Sequence, residues 1–211
     1  MGRLLSMDME NREGDGMNPL RRARYFQGFV VLFLAILWAF PAGAAEDKAP
    51  KFPGEITIGQ TRCLLNGFGL RKKLIVDVYY GALYVTEKSS DAKAVIEADK
   101  AKGIVMHFVY KEVEASKLVE TWKEGFEKTA PTPTPALKDR INTFMGYFTE
   151  SIKAGEEIRL LYEPGVGTRV VVKGQEKGIV PGSDFMKALW GIFLGEKPAS
   201  EGLKKGMLGQ S

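Results

Sequence analysis

The sequence offers few side chains able to carry a reaction. It has one histidine, His107, and one cysteine, Cys63. His107 stands inside the run Ile104–Tyr110 (IVMHFVY), with Val105 and Val109 two residues to either side. That spacing describes a satisfied imidazole on an apolar strand face rather than a catalytic base. A metal centre needs several ligands, and a chain without a second histidine or a thiol pair has no such spacing. A Ser/Cys–His–acid triad would have to pass through His107, and neither Cys63 nor any serine supports it. Gly67-x-Gly69 is too short for a phosphate-binding loop and is not followed by a helix pattern. No metal and no cofactor is therefore expected. What remains is Arg71, two residues past the glycines, with Tyr79, Tyr80, Tyr84 and Tyr110 further along. An arginine in an apolar sheet can hold a carboxylate through a bidentate pair, and a tyrosine hydroxyl can add a third bond. An ion pair with Asp77, Glu112 or Glu114 would account for the same arginine, and both readings stand at this point.

The elements that must position these residues follow from periodicity. Glu55–Ile58 alternates as a half-buried strand does. Gln60–Asn66 and Leu70–Val85 read as two strands, or one long strand kinked at the glycines. Leu74, Val76, Val78 and Tyr80 then fall on one face, and Ile75, Tyr79 and Gly81 on the other with Asp77. Bulky apolar residues on both faces predict a central strand covered on both sides. Ser89-Ser90-Asp91 caps a helix over Asp91–Asp99, and Ile104–Tyr110 is the next strand. Glu114–Lys128 is an amphipathic helix with Leu118, Trp122 and Phe126 in one stripe. The prolines of Thr129–Pro135 break it. Leu137, Ile141, Phe144, Phe148 and Ile152 form a second helical stripe over some four turns. Ile158–Tyr162 and Thr168–Lys173 make a hairpin around Pro164–Gly167. Lys177–Pro181 leads to a helix capped by Ser183 and stopped by Gly195, and a last short helix starts at Ser200. Strands first, then strands mixed with helices, predict an α+β fold, a large antiparallel sheet with a helical layer on one face.

The N-terminus has its own pattern. Arg21, Arg22 and Arg24 precede the unbroken apolar run Phe29–Phe40, and Ala42-x-Ala44 follows. This is the order of a secretory signal peptide, and the run is short for a spanning helix. Residues 1–44 are read as that leader, 45–53 as a flexible polar lead-in, and 54–209 as one domain. Met17 is an alternative start. The product is expected to be exported and periplasmic, touching membrane only through the leader before cleavage. Cys63 then has no intrachain partner and is read as a small core residue. The net charge is only +4, with lysines standing beside glutamates, as in Lys111-Glu112 and Lys123-Glu124. That balance, with export, argues against a nucleic-acid partner despite the basic and aromatic residues of Arg71–Tyr84.

The run Asn66-Gly67-x-Gly69-Leu70-Arg71-Lys72-Lys73, followed by Val78-Tyr79-x-Gly81-Ala82-Leu83-Tyr84, resembles the bacterial branch of the chalcone isomerase-like family. So do Ile104-Val105-x-His107-Phe108, Tyr162-x-Pro164-Gly165-x-Gly167-Thr168, Ile179-x-Pro181-Gly182-x-x-Phe185, Ala188-Leu189-Trp190 and Leu203-x-x-x-Met207-Leu208-Gly209. The resemblance implies a large antiparallel sheet, a helical layer and a ligand cleft between them. Plant enzymes of the family close a chalcone to a flavanone by intramolecular addition, and their motif arginine corresponds to Arg71. Their other site positions fall at Tyr79, Glu114 (with Tyr110 close by), Thr121 and Ile192, where the residue types differ. Relatives without isomerase activity bind fatty acids, an arginine and a tyrosine holding the carboxylate. The resemblance thus implies a non-catalytic binder of a small amphipathic carboxylate such as a fatty acid. Arg71 would be the anchor and Tyr79 or Tyr110 the second donor. Leu118, Trp122, Phe144, Phe148 and Trp190 would line or back the cleft. The alternatives are an intramolecular lyase acting on a chalcone-like substrate, with Arg71 as its catalytic group, and a structural or partner-binding envelope protein.

Overall fold

The structure, a computed structural model, describes residues 49–210. The expected leader therefore lies outside the described residues. In chain order the described residues form β1 (Glu55–Ile58), β2 (Thr61–Lys73), β3 (Val76–Val85), α1 (Ala92–Glu97), β4 (Lys102–Phe108), β5 (Glu112–Val113), α2 (Ala115–Thr129) and α3 (Pro135–Met145). They continue with β6 (Ile152–Lys153), β7 (Glu157–Glu163), β8 (Gly167–Val172), β9 (Gln175–Val180), α4 (Ser183–Leu194) and α5 (Glu201–Met207). Seven strands form one antiparallel sheet in the order β1-β2-β3-β4-β7-β8-β9. This is the expected α+β architecture. Between the neighbours β4 and β7 the chain leaves the sheet for α2 and α3. The short pair β5–β6 clasps that excursion at its base, with Val113 opposite Ile152.

The main core lies between one sheet face and the helices. It takes Leu83, Ile104, Met106, Leu160 and Val170 from the strands, and Leu118, Trp122 and Phe126 from α2. The α2 stripe is the one its periodicity predicts. Helix α4 is buried nearly all round, which suits a sequence as apolar as Phe185–Leu194. A smaller cluster of Cys63, Ala82, Tyr84 and Val105 occupies the other sheet face. Phe52 of the lead-in packs there, and the Tyr84 hydroxyl donates to the Pro53 carbonyl at 3.0 Å. The central strands β3 and β4 are thus covered on both sides.

The glycines of Asn66-Gly67-Phe68-Gly69 lie within the single strand β2, and helix α5 crosses directly over them. A Cβ on Gly67 would stand 2.3 Å from the Gly206 carbonyl oxygen, and one on Gly69 2.7 Å from that of Leu203. The helix answers with its own Gly206, where a Cβ would meet the Phe68 oxygen at 2.4 Å. Backbone lies on backbone, which residues with side chains do not permit. Asn66, the extra residue of a β-bulge, fastens the joint. Its amide donates to the carbonyls of Ser89 (2.9 Å) and Met207 (2.8 Å) and accepts from the Ser89 N–H at 2.8 Å.

Several boundaries differ from the sequence reading. Leu70–Val85 is not one strand: the chain reverses at Leu74-Ile75, and both side chains are exposed rather than on sheet faces. Neither residue is a turn former, so the local sequence gave no warning. Leu74 holds a left-handed φ of 56°, which costs a side-chain-bearing residue roughly 1–2 kcal/mol. Asparagine tolerates that conformation better, so Leu74→Asn is expected to raise stability in urea by up to about 1 kcal/mol. The stripe from Leu137 to Ile152 is helical only to Met145: Phe148 follows in a turn and Ile152 begins β6, although both remain buried. Gln175–Val180 forms the edge strand β9, whose polar first half hid it. Asp91 caps α1 and Ser200 caps α5 through their side chains, as expected. Ser183 makes no such bond, and the N-cap position of α4 is Gly182.

Candidate functional site

Arg71 lies near the end of β2, directly opposite Tyr79 on β3. A bulge follows at once. Arg71 pairs with Tyr79 and Lys72 with Asp77, so Val78 is the extra residue. Bulges re-aim side chains, and here Val78 and Tyr79, which would otherwise face opposite ways, are both buried in the main core. The Arg71 guanidinium carbon sits 5.7 Å from the centre of the Tyr79 ring, within cation–π range.

These residues close one end of a cavity of about 30 Å³ between the sheet and the helices. Met106 and Phe108 continue the sheet wall. Leu118, Thr121 and Trp122 come from α2, Ile192 and Phe193 from α4, and Ala199 from the link to α5. Apart from Arg71, the tip of Tyr79 and two donors on α2, the wall is hydrocarbon. The Thr121 hydroxyl is engaged, donating to the Lys117 carbonyl of its own helix at 2.8 Å. The Trp122 indole N–H is buried without an acceptor. So is the Arg71 Nε–H.

The ion-pair account of Arg71 does not hold among the described residues. Asp77 Oδ1 lies 3.0 Å from Lys72 Nζ instead, close enough for an ion pair but without hydrogen-bond geometry. Glu112 and Glu114 are exposed. Arg71 as a whole is half-buried, but its Nε–H is buried, and a buried N–H is costly unless an acceptor reaches it. Tyr79 is held in its neutral form, since burial pushes the phenol up to about 12 while the Arg71 charge pulls it the other way. Its O–H is thus a donor at any physiological pH. The wall therefore gathers donors within an apolar cleft, an arrangement suited to an anionic head on an apolar body.

Of the three residues expected to bind a ligand, Arg71 and Tyr79 share the cavity wall. Tyr110 does not: it lies beyond β4, is 43% exposed, and meets the site only through its N–H to the Val78 carbonyl at 3.1 Å. Leu118 and Trp122 line the cavity. Phe144 meets Trp122 edge-on and Phe148 lies tilted against it, with ring centres 5.2 and 5.6 Å away. Trp190 lies elsewhere, against Tyr162. Thr121 and Ile192, placed near the site by the resemblance alone, do line it, while Glu114 is the exposed N-cap position of α2. His107 is part of the opposite face, its Nδ1 3.3 Å from Glu157 Oε1. Burial disfavours the charged Glu157 carboxylate, but hydrogen bonds from Arg159 and His107 outweigh that and hold its pKa below the usual range. Cys63 is fully buried. Among the described residues, no group of three or more His, Cys, Asp or Glu side chains is placed to hold a metal ion.

The sequence reading passed over Lys102, which is buried at the start of β4. Its ammonium donates to the carbonyls of Val95 and Ala98, both at 2.5 Å, closing the end of α1. Lys102 stands among Asp99, Lys100 and Gly103, before the apolar pattern that begins at Ile104, and nothing in the local sequence marked it. Burial lowers its pKa to about 8, against the pull of Asp99. A cation with a depressed folded-state pKa holds fewer protons folded than unfolded, so stability rises with pH between about 8 and the ordinary lysine value of 10.5. Melting temperatures of the chain relative to Lys102→Met should therefore shift in favour of the chain across that interval. Parallel curves would contradict the assignment.

An antiparallel sheet, a helical layer and a cleft between them lined in part by an arginine define a class, and sequence comparison agrees with it. The chain belongs to the chalcone isomerase-like family, whose sequence profile matches residues 44–209. Among solved structures it is similar to the crystal structure of a fatty-acid binding protein from Arabidopsis thaliana, with a TM-score of 0.59 and 20% sequence identity. That match covers 74% of this chain and 90% of that one, and at such identity it speaks to the fold. No curated protein sequence matches.

Proposed function

We propose that the protein is an exported, non-catalytic binder of a small amphipathic carboxylate such as a fatty acid. The observation that carries this reading is the buried Arg71 Nε–H, which has no partner and stands in a largely apolar wall. A carboxylate answers it, with the Tyr79 hydroxyl as second donor. The fatty-acid binding protein of similar fold supports the ligand class. The apolar run Phe29–Phe40 and Ala42-x-Ala44 support export to the periplasm, where acyl chains are abundant.

A volume of about 30 Å³ is that of roughly one water molecule. An acyl chain therefore enters only as the wall parts, and α2, which contributes Leu118, Thr121 and Trp122, is the layer that must give way. Isomerase chemistry has less support. Arg71 alone matches the plant site, Tyr79 is a neutral phenol, Ile192 offers no polar group, and the Thr121 hydroxyl is spent on its own helix.

The test is melting in the presence of dodecanoate and of its methyl ester. A ligand at about a hundred times its Kd adds roughly 2.7 kcal/mol to stability. The acid should raise the melting temperature and the ester should not. Equal shifts would remove Arg71 as the anchor, and no shift with acids of any chain length would sink the binder reading.

A further inference from the structure

The tip of the β2–β3 hairpin is unusual for a turn in water. Such positions ordinarily go to Gly, Asn, Asp, Pro or Ser. Here Leu74 is 93% exposed, Ile75 94% and Val76 39%. Leu74 is moreover held at positive φ, a strained conformation for leucine. The fold gains no burial from either outermost side chain, so packing does not explain them. Behind the tip stand exposed Lys72 and Lys73, and Lys73 forms no salt bridge among the described residues. Tyr110, 43% exposed, is fastened beside the hairpin by its N–H to the Val78 carbonyl, and exposed Lys111 follows it.

We propose that this tip is a membrane wedge that docks on a bilayer containing anionic phospholipid. The order of side chains follows the profile of a bilayer: aliphatic groups outermost, then a tyrosine and lysines at the level of headgroups and phosphates. Glu112 and Glu114, just after Lys111 in the chain, are exposed, and Glu120 is near enough to Lys73 to feel its charge, which keeps the electrostatic share small. Leu74 and Ile75 carry the attachment. The wedge is also continuous with the candidate site. Arg71 lies three residues before Leu74 and Val78 three after Ile75, and both line the cavity. At about 3.4 Å per residue, docking sets the Arg71 end of the cavity roughly 10 Å behind the tip, near headgroup level. This contact adds to the one expected of the leader, and it stands whatever Arg71 holds.

The test uses the full chain with Ile75→Cys carrying an environment-sensitive fluorophore. Cys63 is fully buried, so the label goes to the tip. Vesicles of phosphatidylethanolamine and phosphatidylglycerol are expected to shift its emission to the blue and raise its intensity severalfold. The same label at Val166→Cys, in the β7–β8 turn at the opposite end of the sheet, should not respond. That control separates the tip from attachment through any other segment. Adding Leu74→Asn, which suits the turn, should raise the lipid concentration required by about tenfold. The proposal is overturned by an unresponsive tip label, by an equal response at position 166, by no effect of Leu74→Asn, or by a blue shift that grows with protein concentration in the absence of lipid.

Discussion

Gly67→Ala is expected to lower the unfolding free energy by about 3 kcal/mol, the upper range for overpacking. None of Gly67, Gly69 and Gly206 has a positive φ, so the requirement is space alone. The atoms a new methyl group would strike are backbone: the Gly206 oxygen at 2.3 Å, with the Gly209 nitrogen and the Met207 oxygen at 3.0 Å. Backbone cannot rotate aside as a side chain can, so α5 must lift from the sheet. Lifting it uncovers Leu203 and Met207, both fully buried, and pulls the Met207 carbonyl from Asn66. Gly69→Ala and Gly206→Ala should behave alike, since they press on the same joint. Gly54→Ala, where no atom lies within 4 Å, is the control and should stay within about 0.5 kcal/mol of the parent. Urea unfolding of the set gives the comparison, and a neutral Gly67→Ala would contradict the packing of α5 on β2.

That joint marks where sequence reasoning stopped. Two glycines in a strand pattern announce that something approaches closely, and something does. What approaches is a helix far along the chain, and no local pattern names it. The layer order, the α2 stripe and the double coverage of β3 were legible because each rests on periodicity within one element. The hairpin at Leu74-Ile75 was not, because an apolar turn hides inside an apolar strand. That error carried over to the site. With the reversal missed, the pairing of Arg71 with Tyr79 could not be drawn, and neither could the bulge that turns Val78 and Tyr79 into the same core. Tyr110 came from the resemblance, as the tyrosine close to the site position that falls at Glu114, but the chain has already left the sheet there. Lys102 falls before the strand pattern of Ile104–Tyr110 and carried no local signal, because its partners are the carbonyls at the end of α1.

Arg71→Met carries the other large effect. Methionine keeps much of the length and all of the apolar contact while removing the charge and the donors. Losing one partner of a buried charged pair costs 2–5 kcal/mol in binding, so affinity for the carboxylate should fall by about a hundredfold. The fold should not suffer. Arg71 is half-buried with its Nε–H buried and unpartnered, so replacing it by an apolar group of similar shape should be neutral or mildly stabilising, and the contact with the Tyr79 ring is worth only about 0.5–1 kcal/mol. Weaker binding with unchanged or higher stability is the signature of an anchor. Loss of both together would be the signature of a structural cation. Tyr79→Phe, which removes one neutral donor, should cost less than Arg71→Met in the same titration.

The most direct measurement is native mass spectrometry of the protein purified without added lipid, run beside Arg71→Met prepared identically. The account predicts a stoichiometric acyl carboxylate on the parent chain and its loss from the folded variant. The same ligand on both proteins, or a parent chain that stays bare even after incubation with fatty acids, would contradict the claim that Arg71 holds a carboxylate.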